Sequence, residues 1–153
     1  MNHLNLSKAP LSLKLLSTLA IAGMGITYIV LALHIFIDTA FNVSIIKEAY
    51  STMEWMELVD HTHKYLPYYG IYIFAFALFL FVLGTSYSEK VKRWMVIIPN
   101  CFILLDIGSM WAIRFIHADL FSWGLFLAGI FLAISFLTIA VLTLYDIWFR
   151  KTA

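Results

Sequence analysis

Four long apolar stretches separated by short polar breaks organise the chain, over approximately residues 15–37, 66–87, 94–116 and 123–148. Each is long enough to cross a hydrocarbon layer of about 30 Å as a helix rising about 1.5 Å per residue. The pattern therefore predicts an all-α, four-helix transmembrane bundle that occupies residues 1–153 as a single integral membrane domain. The first stretch follows Lys8 and Lys14 as a secretory signal would. Its apolar run is about twice a signal core and no small-x-small cleavage site follows, so it reads as a retained span. Between the first two stretches Ile45, Ile46, Ala49, Met53 and Met56 recur at helical spacing, whereas Lys47, Ser51 and Glu54 fall elsewhere. That periodicity predicts a short amphipathic helix lying on the membrane surface.

Composition agrees with the pattern. Hydrophobic residues make up 63% of the 153 and charged residues 12%, against roughly 45–50% and 25% in soluble domains, which excludes a soluble globule. A single cysteine, Cys101, excludes an internal disulfide and any Cys-pair metal or redox motif. The net charge of +1 decides little, but the placement of charge decides direction. If the spans alternate, Lys8, Lys14, Lys90, Lys92, Arg93, Arg150 and Lys151 share one side, which the positive-inside bias makes cytoplasmic. Both ends are then inside, and the interfacial helix lies on the outer face. That outer face carries Glu48, Glu54, Glu57, Asp60 and Asp119 against Lys47 and Lys64. Trp94, Trp123, Trp148, Tyr68, Tyr69 and Tyr87 fall where interfacial aromatic anchors are expected.

Ionisable residues inside apolar stretches cost on the order of 2–4 kcal/mol unless paired or wet, so they mark candidate chemistry. His34 lies about one turn below the outer end of span one, with Asp38 one turn above it on the same face. Asp106 is near the middle of span three, and Ser109, Ile113 and His117 continue its face. Arg114 is close enough to the boundary to snorkel. His61 and His63 precede Pro67 in a His-Thr-His run. Extended, the two rings point the same way. If Asp60 instead caps a helix that Pro67 merely kinks, they stand about 200° apart. Glu57 and Asp60 are near enough in sequence to accept the second imidazole N–H. His3 lies in the polar tail and carries no signal.

Neutral imidazole is cheaper to bury than a charged ligand and suits haem iron. A haem b held by two histidines near the outer face is therefore expected, with His34 and either His63 or His61 as axial ligands and His117 in reserve. Arg114 and Lys64 are placed to pair with propionates. A non-haem iron, copper or zinc site would draw on His34, His61 and His63 with one carboxylate from Asp106, Asp38 or Asp60. A proton relay would use Asp106, His34, Asp38 and His117. A cofactor-free structural or assembly subunit is the reading in which these histidines are simply hydrogen-bonded. No phosphate-binding glycine loop, nucleophile elbow, His-Glu-x-x-His or basic aromatic patch for nucleic acid is present. Cys101 in span three reads as buried beside Pro99, and Gly23, Gly25, Gly124 and Gly129 as points of close helix packing.

The run from Met56 to Gly70, MELVDHTHKYLPYYG, with Leu105-Asp106-Ile107-Gly108-Ser109 and Trp111 further on, resembles a group of small four-span bacterial membrane proteins with a His-x-His before span two. Members of that group accompany respiratory cytochromes. The match puts the acidic residue at Glu57 and the histidines at His61 and His63, although the order here is His-Thr-His rather than Thr-His-x-His. In plan the chain is also similar to four-helix haem b membrane cytochromes, without their two stacked histidine pairs. The resemblance implies an inner-membrane electron-transfer protein or cytochrome subunit of a respiratory complex. It would sit beside other membrane subunits or as a homo-oligomer, between a quinol donor and an acceptor such as cytochrome c.

Overall fold

The computed structural model describes residues 5–150, apart from the side chains of Tyr69 and Ile71. His3, Lys151 and the Tyr69 side chain, each assigned a place above, lie outside the described residues. Those described residues are all-α. The α-helices are α1 (Leu11–Thr39), α2 (Val43–Thr52), α3 (Trp55–Leu66), α4 (Phe76–Gly84), α5 (Glu89–Phe115) and α6 (Ala118–Trp148). A π-helical stretch, Pro67–Ala75, joins α3 to α4. By length and composition α1, α5 and α6 are long and apolar enough to cross a membrane, and Tyr72–Gly84 forms a shorter apolar helix.

The segment between the first two predicted spans is helical as expected, but it forms two helices. Asn42 starts α2 by accepting from the Ser44 N–H at 2.8 Å, and Met53 then turns extended. A new start follows at once, because the Glu54 N–H donates to the Glu57 carboxylate at 2.8 Å, one half of a capping box. Ile46 is buried beneath α2, whereas Ile45, Ala49 and Met56, expected on the same apolar face, are exposed. At the corner before α2, Ala40 and Phe41 both adopt left-handed backbone, φ 48° and 51°. Non-glycine residues there cost roughly 1–2 kcal/mol each, which the packing of α2 against α5 and α6 offsets.

Residues 55–84 form one uninterrupted helical rod, so the His-Thr-His run is helical and not extended. Its start is set by Glu54 and Glu57, not by Asp60. Pro67 offers no N–H to the carbonyl one turn back and its ring crowds that carbonyl, and the rod widens into π geometry from that residue. The rod stops at Gly84, short of the expected 87, where extended Thr85 turns its hydroxyl back to the Phe81 carbonyl at 2.6 Å.

The α5–α6 hairpin is the spine. Ser109 lies so close to Gly124 that a Cβ there would stand 3.0 Å from its Oγ, and Ala112 and Ala128 are buried nearby in sequence. Small residues at such a contact let helices approach within dispersion range. Gly124 thus has the packing role expected of it, while Gly23 and Gly129 have nothing within 4 Å of a notional Cβ. Cys101 is exposed on the outer surface of α5, contrary to the buried placement expected from its apolar neighbours.

Two sets of contacts tie the opposite ends. At one, Asp146 accepts from the Ser86 N–H and from Arg150, Trp148 donates to Thr18 at 3.0 Å, and Lys14 lies over the Trp148 ring. At the other, Lys47 pairs with Asp119, Arg114 donates to the Ser51 carbonyl, and Trp111 donates to Thr62 at 2.8 Å.

Candidate functional site: an apolar cavity walled by an acid

A cavity of about 420 Å³ lies between the second half of α1, α2, the end of α3, and the facing parts of α5 and α6. Its α1 wall is Tyr28, Leu31, Ala32, Ile35 and Thr39, spaced three to four residues apart as one helix face requires. From Tyr28 to Thr39 that wall runs about 16 Å along the axis. On α6 the wall is Leu125, Phe126, Gly129, Ile130, Ala133 and Ile134. Ile130 and Ile134 also keep much of their surface exposed, so the cavity is not sealed along the α6 side. Of the three long helices α1 is the least buried, 11% of its most apolar window against 39% in α5 and 33% in α6. Ile46 and Tyr50 of α2 close the far end as a lid.

The polar content of this apolar space is concentrated in Asp106 and three tyrosines, Tyr28, Tyr50 and Tyr65. Asp106 is 3% exposed, and its Oδ2 has no hydrogen-bond partner. Ser109 Oγ, one turn on, is also without a partner. Asn100, earlier on α5, is exposed and donates to the Val96 carbonyl at 2.7 Å instead. Burial, then Tyr65 and the Asp106 and Asp38 carboxylates, push the Tyr50 hydroxyl above its ordinary range, and burial does the same to Tyr65. Both therefore remain neutral donors at physiological pH.

The histidines occupy separate places. His34 Nε2 stands 3.4 Å from Asp38 with its side chain 62% exposed, about 115° round α1 from the centre of the cavity-lining face. His61 turns Nδ1 to the Glu57 backbone carbonyl at 2.9 Å and packs near Tyr50 and Tyr65. His63, on the other side of α3, lines a shallow groove with Val59, Thr62, Leu66, Pro67 and Trp111. His117 lies beyond the end of α5 and does not continue the Asp106 face. It caps α6 instead, accepting from the Leu120 N–H at 3.2 Å.

The expected helpers are committed elsewhere as well. The Glu57 carboxylate caps α3, Asp60 pairs with Lys64, and Arg114 holds α2. The Lys64 hydrogen bond keeps the Asp60 carboxyl below the usual range. Among the described residues no group of three or more His, Cys, Asp or Glu side chains is arranged to hold a metal ion. Tyr28, Tyr50, Tyr65 and Gly129 were absent from the sequence reading of the site. The available signal was the 28–31–32–35–39 face of α1, which carries its only tyrosine.

The lid depends on the Lys47–Asp119 pair, 2.6 Å long and largely exposed. Lys47 holds the Asp119 carboxyl below its ordinary range. A carboxyl depressed in the fold contributes above its unfolded pKa, and that contribution disappears as pH falls through the folded value. Lys47→Ala at neutral pH is expected to lower amide protection factors over residues 43–52 with little change in melting temperature, and acidification through the depressed Asp119 value is expected to lower the same protection factors once intrinsic exchange rates are divided out. Unchanged protection in both experiments would mean that the pair does not hold the lid.

This is the architecture of an all-α membrane protein with an internal cavity. Residues 42–153 match the Aq_1264_TM family, a transmembrane helical domain, and the chain belongs to that family. The match covers α2 to α6, and α1, which supplies one wall of the cavity, precedes it. No curated protein and no solved structure matches the chain.

Proposed function

We propose that this chain is a four-span protein of the bacterial inner membrane, with both ends cytoplasmic, that holds a small lipophilic molecule in the outer half of the bundle. The fourth crossing is the rod from Pro67 to Gly84, 18 residues, within the range of about 17–25 that spans a bilayer. Direction follows from charge: Lys8, Lys14, Lys90, Arg93 and Arg150 gather at the end tied by Asp146. The lid end carries Glu48, Glu54, Glu57, Asp60 and Asp119.

The cavity is the observation that carries the binding reading. Its volume lies within the roughly 300–1,000 Å³ of small-molecule sites, and it combines apolar walls with a few polar groups. The unsealed α6 side opens to the acyl chains. A haem held by two histidines would need facing imidazoles, and the separate engagements of His34, His61, His63 and His117 do not fit that need. An absorption spectrum of protein from its native membrane is expected to lack a Soret band. A reducible one would return the site to the histidines.

Gly129→Leu tests the cavity directly. The new side chain grows into open space at a cavity-lining position, and leucine favours helix over glycine by about 0.5–1 kcal/mol. The variant should fold at least as stably as the parent. It should also lose saturable photolabelling of residues 28–35 and 125–134 by a lipophilic diazirine. Labelling that stays saturable at those residues would refute the reading.

A further inference from the structure

We infer that the molecule held in this cavity carries a hydroxyl on a flat ring, a phenol or quinol soluble in the bilayer, and that Asp106 accepts a hydrogen bond from that hydroxyl. This rests on the cavity reading above and adds the chemistry of the ligand. The starting point is the cost of Asp106. A carboxyl buried at mid-membrane depth is kept only where something repays its desolvation, and a buried acceptor left unmade costs about 1–3 kcal/mol. Asp106 lies in the cavity wall, and its buried Oδ2 has no protein partner. A donor brought by the ligand satisfies it.

Two donors compete for that role, a hydroxyl and an ammonium. An ammonium must leave water and travel through acyl chains to the cavity. It would find a single carboxylate and a mainly apolar lining, too little to repay the loss of hydration. A hydroxyl gives up far less, and its own lone pairs meet the neutral phenol of Tyr50, which is a donor.

The walls favour a ring. Tyr28 is stacked on Phe136 with centroids 5.4 Å apart and planes 9° apart, which leaves its outer surface in the cavity wall. Phe126, Tyr50 and Tyr65 add further aromatic surface. Aromatic faces stacked or set edge-on against a ring gain about 0.5–1.5 kcal/mol beyond burial.

The test is competition against diazirine photolabelling of the full chain in nanodiscs, with three probes: a short-chain benzoquinol, its dimethyl ether, and a straight-chain alcohol of equal length. The quinol should compete at a concentration at least tenfold lower than either of the others. In Asp106→Leu the gap between quinol and ether should shrink to within twofold, and Asp106→Asn, which keeps an acceptor, should retain part of it. Equal competition by quinol and ether overturns the role of Asp106, as does an unchanged gap in Asp106→Leu. Equal competition by the straight-chain alcohol overturns the ring. Saturable labelling persisting in Gly129→Leu instead refutes the cavity itself, so the two failures are distinguishable. Should Asp106→Leu fail to fold, the Asn variant and the ether comparison still decide the question.

Discussion

Asp146→Ala is expected to destabilise the protein by about 2–4 kcal/mol, the largest loss for any single polar side chain in the molecule. Its carboxylate is 0% exposed and accepts from the Ser86 N–H at 3.0 Å, the Ser86 hydroxyl at 3.3 Å and the Arg150 guanidinium at 3.0 Å. Arg150 in turn lies over the Tyr87 ring at 4.8 Å. The one side chain thus fastens the break between α4 and α5 to the end of α6. Removing it leaves a part-buried N–H without an acceptor and a half-buried cation without its counter-charge, and those orphaned groups account for most of the cost. Asp146→Asn keeps an acceptor and loses the charge, so about half the effect should remain. Denaturant titration in mixed micelles measures both. A loss below about 1 kcal/mol for the alanine variant would mean that water already serves the Ser86 amide.

Phe136→Ala is expected to cost about 2–4 kcal/mol and to free α1 from the rest of the bundle. Phe136 stacks on Tyr28 of α1, meets Phe74 of the π stretch edge-on at 6.3 Å, and lies 3.8 Å from where a Cβ on Gly25 would stand. It joins three helical segments at one point. Lipid is as apolar as a protein core, so transfer out of water contributes little there. The loss comes from dispersion contacts and aromatic geometry that nothing else can replace. Leu137, the next residue, is 64% exposed; Leu137→Ala should stay within about 0.5 kcal/mol. Equal losses at the two positions would show that α1 is not held through Phe136. Photolabelling of α1 outside the cavity should also increase in the Phe136 variant, because its lipid-facing seam opens.

The histidines show where the sequence reading reached and where it stopped. A shared face for His34 and Asp38 follows from a four-residue spacing in an unbroken helix, and the fold keeps it. His61 and His63 turned on whether the chain stays helical up to Pro67, which local pattern left open. Glu54 and Glu57 decided that by starting a helix too long to stop before the proline. His117 was placed on α5 because the apolar pattern runs to Ile116, yet the helix ends at Phe115 and the ring caps the next one. One residue at a helix end changed a candidate ligand into a cap. Asp106 stood out in sequence as an ionisable residue in mid-span, but the cavity beside it is formed by five elements, α1, α2, α3, α5 and α6, and no local spacing carries that information.

The amino-acid order by itself determined the helices, their approximate lengths and the segregation of basic residues, because each depends on nearest-neighbour properties: backbone preference, apolar run length and the sign of side-chain charge. Only the tertiary structure decided which face of each helix turns inward. In helices apolar on every side, lipid and protein reward the same residues alike, and inward facing is set by how small residues such as Gly124 and large ones such as Phe136 fit across the contact. That fit leaves α1 the least buried of the long helices and opens the space beside Asp106.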